Sequence, residues 1–275
     1  MIKLNLRLKV GIVILAIFTL GSIILPLLTQ ENPAEQGTYF RNLPVSPQHP
    51  LGTNALGQDV LWYLIFSIRN SLVLGVSVSL CITVIATLVG LSAGYIGGWF
   101  DRIVMLVVDS FITIPVFPIL IILGALVRGQ TSFLIVGAIL VAFGWAWSAR
   151  TVRSLALSTR EREFINMARF SGARTPEIIL KEVFPYVYAY IVVGFINTIL
   201  FAINTEAALA VIGLSKVEVP TLGSIIFWAL NYNAMFTGQY PWVVAPVVAT
   251  VLLFLGLFLT STGYNQYFAT RRGQS

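Results

Sequence analysis

Six long apolar runs, at residues 10–29, 70–96, 103–127, 132–149, 186–213 and 243–262, restrict what this chain can become. Each is near or above the roughly 20 mostly apolar residues that a helix needs to cross a membrane. The chain has 275 residues, 57% hydrophobic and 10% charged. A soluble domain carries about 25% charged residues, so there is too little polar surface here to clothe a water-soluble core. No run alternates in the manner of a barrel strand, so the expected fold class is an all-α membrane protein with six transmembrane helices. The first run follows Lys3, Arg7 and Lys9 and is not trailed by a small-x-small cleavage site, which reads as a retained signal anchor. The lone Cys81 lies inside an apolar run, which excludes a disulfide framework or a cysteine-based zinc cluster.

The net charge of +6 invites a nucleic-acid reading, yet no soluble basic domain exists to carry it. The positions of the cations give another account. With the N-terminus (1–9) in the cytoplasm, thirteen of the 17 lysines and arginines fall inside and four (Arg41, Arg69, Arg128 and Lys216) outside. This is the asymmetry of the positive-inside rule. It puts both termini in the cytoplasm, the tail being 266–275. Segments 30–69 and 214–242 then lie outside, with short turns at 97–102 (inside) and 128–131 (outside). A single sizeable cytoplasmic segment, 150–185, remains.

That segment contains "FINMARFSGARTPEIILKEVFP", residues 164–185. Ser158 followed by Glu161 fits a capping box, and residues 159–171 favour a helix. Gly172 is placed to end it, and Thr175-Pro176-Glu177 reads as the cap and first turn of a second helix, with Pro185 marking re-entry into the membrane. Phe164, Ile165, Met167 and Phe170 are apolar residues on a segment that water should surround. Two readings stand: anchors that dock into a partner's groove, or an amphipathic helix on the lipid surface.

The stretch resembles the EAA loop of permease subunits of ABC importers. Asn166, Met167 and Ala168 stand at the Glu-Ala-Ala positions, Gly172 and Pro185 at the family's glycine and proline, and Arg162-Glu163-Phe164 resembles its lead-in. Asn166 stands where the family carries glutamate. "HPLGTNALGQDVL" (49–61), "GLSAGYIGGWFDRIVMLVVD" (90–109) and "EAALAVIGLS" (206–215) are similar to blocks of the second permease of dipeptide, oligopeptide and nickel importers. Asn54 and Gln58 replace the branch's usual Asp and Arg. The resemblance implies a type I importer fold with a permease core over 70–265. It also implies contact with an ATPase through Glu163, Phe164, Asn166, Met167, Ala168, Arg169, Phe170, Gly172, Ala173 and Pro185. The implied partners are a second homologous permease, two ATPase subunits that bind ATP and Mg, an extracytoplasmic binding protein and membrane lipid, with no cofactor in this chain. The implied cargo is peptides, with oligosaccharides or nickel as alternatives, and the implied location is the inner membrane.

Other residues carry narrower expectations. Gly90, Gly94 and Gly98 form overlapping small-xxx-small pairs suited to close helix packing. Pro115 and Pro118 should break or bend the third span, and Pro26 the first. Asp109 and Glu206 are the acids inside spans and must face protein or water. Asp109 is expected to pair with Arg102 or an arginine of 150–185. Glu206 reads either as a pathway residue or as a packing residue meeting Asn197 or Asn204. His49, the single histidine, reads as structural rather than metal-binding. Trp62, Trp228, Tyr232, Tyr240 and Trp242 form either an interfacial belt or a surface for stacking on sugars. No phosphate-loop, H-E-x-x-H or G-x-S-x-G motif occurs. A stand-alone secondary transporter would show inverted repeats, and an intramembrane enzyme paired acids, a Ser/Lys dyad or a metal site; neither pattern is found.

Overall fold

A computed structural model describes residues 5–29, 32–126, 133–212 and 219–272. The turn expected at 128–131, the cations Lys3, Arg128 and Lys216, and the end of the 206–215 block lie outside these residues. Among the described residues every named element is helical, and one isolated β-bridge joins Thr53 and Asp59.

Helix α1 (Leu6–Ile24) starts where the Asn5 side chain accepts the Leu8 N–H, and gives way at Pro26 to a 3₁₀ turn over Leu25–Leu28. After the loop 32–59, Asp59 caps α2 (Val60–Ile96) by accepting the N–H groups of Leu61 and Trp62. At 37 residues α2 is about 55 Å long, well beyond a ~30 Å hydrocarbon layer. It begins ten residues before the span expected from hydropathy.

A reversal at Gly97 and Gly98, both at positive φ, leads into α3 (Gly98–Thr113). Then α4 (Val116–Leu126) leaves at 68° to it. The break falls at Ile114–Pro115, as the sequence predicts: Ile114 is held extended by the proline that follows it. Helix α5 (Phe133–Arg160) extends to Arg160, where residues 132–149 were expected.

Short helices α6 (Glu163–Phe170) and α7 (Thr175–Ile178) follow, and a π-turn over Ile179–Val183 joins α7 to α8 (Phe184–Val211). Pro185 therefore does not open a new helix. It sits nearly three turns into the continuous helix that starts at Thr175, and the π-turn is the adjustment: the Phe184 N–H reaches back to the Ile179 carbonyl, which spares the Lys181 carbonyl a clash with the proline ring. The chain closes with α9 (Leu222–Asn231) and α10 (Tyr240–Arg272). Among the described residues five helices are long and apolar enough to cross a membrane, and six spans result if the bent α3–α4 pair is one.

Glycine sets the tightest crossings. A Cβ on Gly90 would stand 2.6 Å from the Ala149 carbonyl oxygen, and one on Gly94 2.6 Å from that of Arg153, so α2 and α5 touch backbone to backbone. Gly98 does not join them; it meets nothing and serves the turn. A second crossing was not read in the sequence: Gly11 and Gly263 bring α1 against α10, a Cβ on Gly263 falling 2.6 Å from the Leu8 nitrogen.

The segment 214–242 is not a simple loop, because α9 buries Leu222, Ile225 and Ala229 among α2, α8 and α10. Trp242 is buried in the same cluster, 1% exposed, so it cannot stack on a sugar.

Candidate functional site

At the end of α2 away from residues 32–59, α6 lies across the tips of α2, α5 and α8. Its place is fixed by Ile165, fully buried among Leu91, Tyr95, Val152, Ile178, Val183 and Val187. Phe164 turns inward too, stacked on Tyr186 with ring centroids 4.8 Å apart, while the Arg162 guanidinium lies 5.3 Å from the same ring. Arg169 covers Tyr95 at 5.2 Å and donates from Nε to its hydroxyl at 3.2 Å. Of the four apolar residues expected to be exposed, Phe164 and Ile165 thus belong to the chain's own core. Met167 and Phe170 face out, at 64% and 91% exposure, beside exposed Asn166, Arg169 and Glu163.

The start and stop of α6 also differ in part from expectation. The capping box expected of Ser158 and Glu161 does not form, because α5 runs on to Arg160; the Ser158 and Thr159 hydroxyls turn to the α5 backbone instead. Both hydroxyls donate back to the Leu155 carbonyl. The cap of α6 is Arg162 and that of α7 is Arg174, neither bonding through its side chain. The stop is as read. Gly172 has φ +80°, its N–H donates to the Arg169 carbonyl, and the Ala173 N–H donates to the Ala168 carbonyl. This paired closure of a helix end needs a left-handed residue. Ala168 and Ala173 pack inward, and a Cβ on Gly172 would meet nothing within 4 Å.

The supporting frame is ionic and local. Arg153 on α5 makes a two-pronged bond to Asp101 on α3, both contacts 2.6 Å, and Arg160 donates to the last carbonyls of α2 at Ile96 (3.3 Å). Asp109 pairs with Arg150 at 3.2 Å rather than with Arg102, both side chains about half exposed. The site thus joins an outward apolar pair to a base locked onto three long helices.

Glu206 is far from this end. It is 1% exposed, and its Oε1 accepts from the Thr221 hydroxyl at 3.0 Å, not from Asn197 or Asn204. Thr221 caps α9 in a reciprocal box with Ser224, and the Leu222 N–H donates to Ser71 of α2. The packing account of Glu206 therefore has a physical partner: a carboxylate at the positive end of α9, tying it to α8. Asn197 bonds Ser261 of α10 at 2.9 Å, and Asn204 is exposed. His49 meets the α2 cap Asp59 at 2.7 Å and Tyr39 edge-on, which is a structural role. Sequence reasoning missed the aromatic seats Tyr95 and Tyr186. Nothing local marks them, since each lies on a different helix from the arginine it receives.

Residues 86–274 match the family model described as binding-protein-dependent transport system inner membrane component. The chain is 35% identical to the oligopeptide transport system permease protein OppC of Mycobacterium tuberculosis over 80% of this chain and 75% of that one. It is 27% identical to OppC of Lactococcus lactis over 90% of this chain and 85% of that one. With the dipeptide transport system permease protein DppC of Bacillus subtilis it shares 30% identity over 86% of this chain and 77% of that one. Together with the helical architecture, these matches mean that the chain belongs to the family of inner membrane components of binding-protein-dependent transport systems.

Proposed function

We propose that this chain is one permease subunit of an ATP-driven importer of peptides. It would pair with a homologous permease so that two halves enclose the path. Two ATPase subunits, which bind ATP and Mg, sit beneath, and an extracytoplasmic binding protein delivers the peptide. The observation that carries the reading is α6. Met167 and Phe170 are offered outward on a helix whose other face is locked by Ile165 and by arginine–aromatic contacts. Apolar anchors on a rigid base suit a groove on a partner better than a mobile lipid surface, because little order is lost on docking.

The mechanism is alternating access. Closure of the ATPase pair on ATP moves α6, and since Ile165 and Arg169 bind it to α2, α5 and α8, those helices move with it and open the path outward. Hydrolysis resets the assembly. In this reading the α6 end, both termini and residues 150–185 face the cytoplasm of the inner membrane, with 32–59 and α9 toward the binding protein. The peptide cargo rests on the named relatives.

The test is to purify the chain through a tag after co-expression with its neighbouring transport subunits. A complex with a second permease and ATPase subunits, hydrolysing ATP faster when loaded binding protein is added and accumulating labelled peptide in vesicles, is the expected result. A monomer that moves a solute without ATP would overturn it.

A further inference from the structure

The middle of α8 presents a polar stripe where lipid would be the default neighbour. Tyr190, Gly194, Asn197, Phe201 and Asn204 recur at intervals of four and three residues, so they share one face. Apart from Gly194, which is half-buried, all are exposed, and Asn204 makes no hydrogen bond to another described residue. Both asparagines lie in the middle of the apolar run 186–213. An unpaired amide is costly in hydrocarbon, and such groups turn to a bundle interior or to water.

Helix α10 is the counter-example. Its exposed stripe of the same spacing is Val244, Val248, Val251, Leu255 and Phe258, wholly apolar and suited to lipid. The α8 stripe runs into a cavity of about 270 Å³ between α2, α5 and α8, which Thr83, Thr87, Ser148 and Thr151 line along with Tyr190 and Asn197. The Thr87 hydroxyl is enclosed there without a hydrogen-bond partner. No lining residue of stripe or cavity is charged.

We infer that this stripe and cavity line an aqueous path and take a peptide in passage through its main chain, by hydrogen bonds to uncharged amides and hydroxyls. The inference rests on the importer reading and adds this chain's half of the route. Amide and hydroxyl groups that both donate and accept match the repeating N–H and C=O of any peptide. The absence of fixed charge along the lining means that basic, acidic and neutral peptides meet the same surface.

The test uses the assembled complex in vesicles, with Cys81→Ser as background and Asn197→Cys, Asn204→Cys and Val251→Cys introduced singly. A trimethylammonium-ethyl methanethiosulfonate reagent is added on both sides. Only a thiolate in water reacts, so both asparagine positions should be modified at least about tenfold faster than Val251→Cys. The Asn204 variant removes no bond among the described residues, so its rate decides even if the Asn197 variant is disturbed by losing Ser261. Rates no faster than at Val251 would place the stripe against lipid or a tightly packed helix and overturn the inference. Peptide uptake by the same vesicles is scored separately: its absence sinks the importer reading, while the thiol rates still decide the stripe.

Discussion

Residues 32–59, at the start of α2, and residues 161–174, beside its other end, hold their polar side chains in opposite ways. In the first segment polar side chains close on the segment itself. Asn54 donates to Gln58 at 2.9 Å and accepts the Leu56 and Gln58 N–H groups, and Gln58 donates on to the Pro33 and Ala34 carbonyls. Thr53 accepts from Leu43 and donates to Phe40, and His49 meets Asp59. In the second segment Arg162 and Arg169 are held by aromatic rings of the long helices, and the large apolar side chains of Met167 and Phe170 are left outside. The first segment ties its polar groups into a network that fixes where α2 begins, although it too leaves apolar side chains outside, Phe40 at 85% and Val45 at 61% exposure. The second is complete on one face only, which is the form expected of a contact surface.

The contrast makes the cap end the place where substitution should hurt folding most. Asn54 and Gln58, 1% and 3% exposed, stand where the importer branch carries an Asp–Arg pair. A neutral amide pair keeps the bridging geometry without taking charges out of water. Changing one member alone would strand a buried charge, at about 3–5 kcal/mol. Asn54→Asp should therefore lower the unfolding midpoint of the purified complex sharply, as should Gln58→Arg, while the double variant should recover most of the loss. Additive losses in the double variant would mean that the two side chains are not coupled, and that the cap is held by its backbone bonds instead.

At the α6 end, two phenylalanines six residues apart separate folding from partnership. Phe170→Ala should leave thermal stability unchanged and weaken retention of the ATPase by roughly 2 kcal/mol, the scale of an interface anchor. Phe164→Ala removes the stack on Tyr186 and should cost stability by a comparable amount, with ATPase retention falling only as α6 loosens. Retention and unfolding midpoints measured on the same preparations decide it. If Phe170→Ala unfolds the chain and Phe164→Ala does not, the inward and outward faces have been assigned the wrong way round.

How much of this was legible depends on the range of the interaction. The apolar runs carry the spans because hydrocarbon acts on each helix separately. The break at Pro115 and the left-handed Gly172 are local chemistry, and both are found as read. The errors come where a neighbour decides. Ile165 reads as exposed because the segment is charged, but the tips of α2 and α8 bury it. Pro185 reads as the mark of membrane re-entry, and what the sequence does not show there is the π-turn through which the helix runs on from α7. Asp109 does find its partner among the arginines of 150–185, one of its two expected alternatives, but only the register of α3 against α5 selects Arg150. Glu206 needed a partner, and Thr221 lies beyond a loop whose path the sequence does not state.

The smallest expected effect gives the cleanest comparison of the two ends. Gly37 and Gly172 share a positive φ, +79° and +80°, and at neither would a Cβ meet anything within 4 Å of the chain. An alanine at either position carries positive-φ strain, about 1 kcal/mol or more. With positive-φ strain and open space at both, the chain alone predicts similar, modest losses of stability for Gly37→Ala and Gly172→Ala. A packed partner breaks that symmetry. If the ATPase lies against the end of α6, the added methyl at Gly172 meets a surface that is absent from the isolated chain, and ATPase retention falls beyond what strain accounts for. Gly37, on the far end of α2, has no such neighbour among the ATPases. The measurement is ATPase bound per permease after washing, with unfolding midpoints recorded alongside. A larger retention loss at Gly172 for the same fall in midpoint is the expected result. Equal retention would mean that the ATPase stands clear of Gly172, and the docking face would then be narrowed to Met167 and Phe170 on the exposed side of α6.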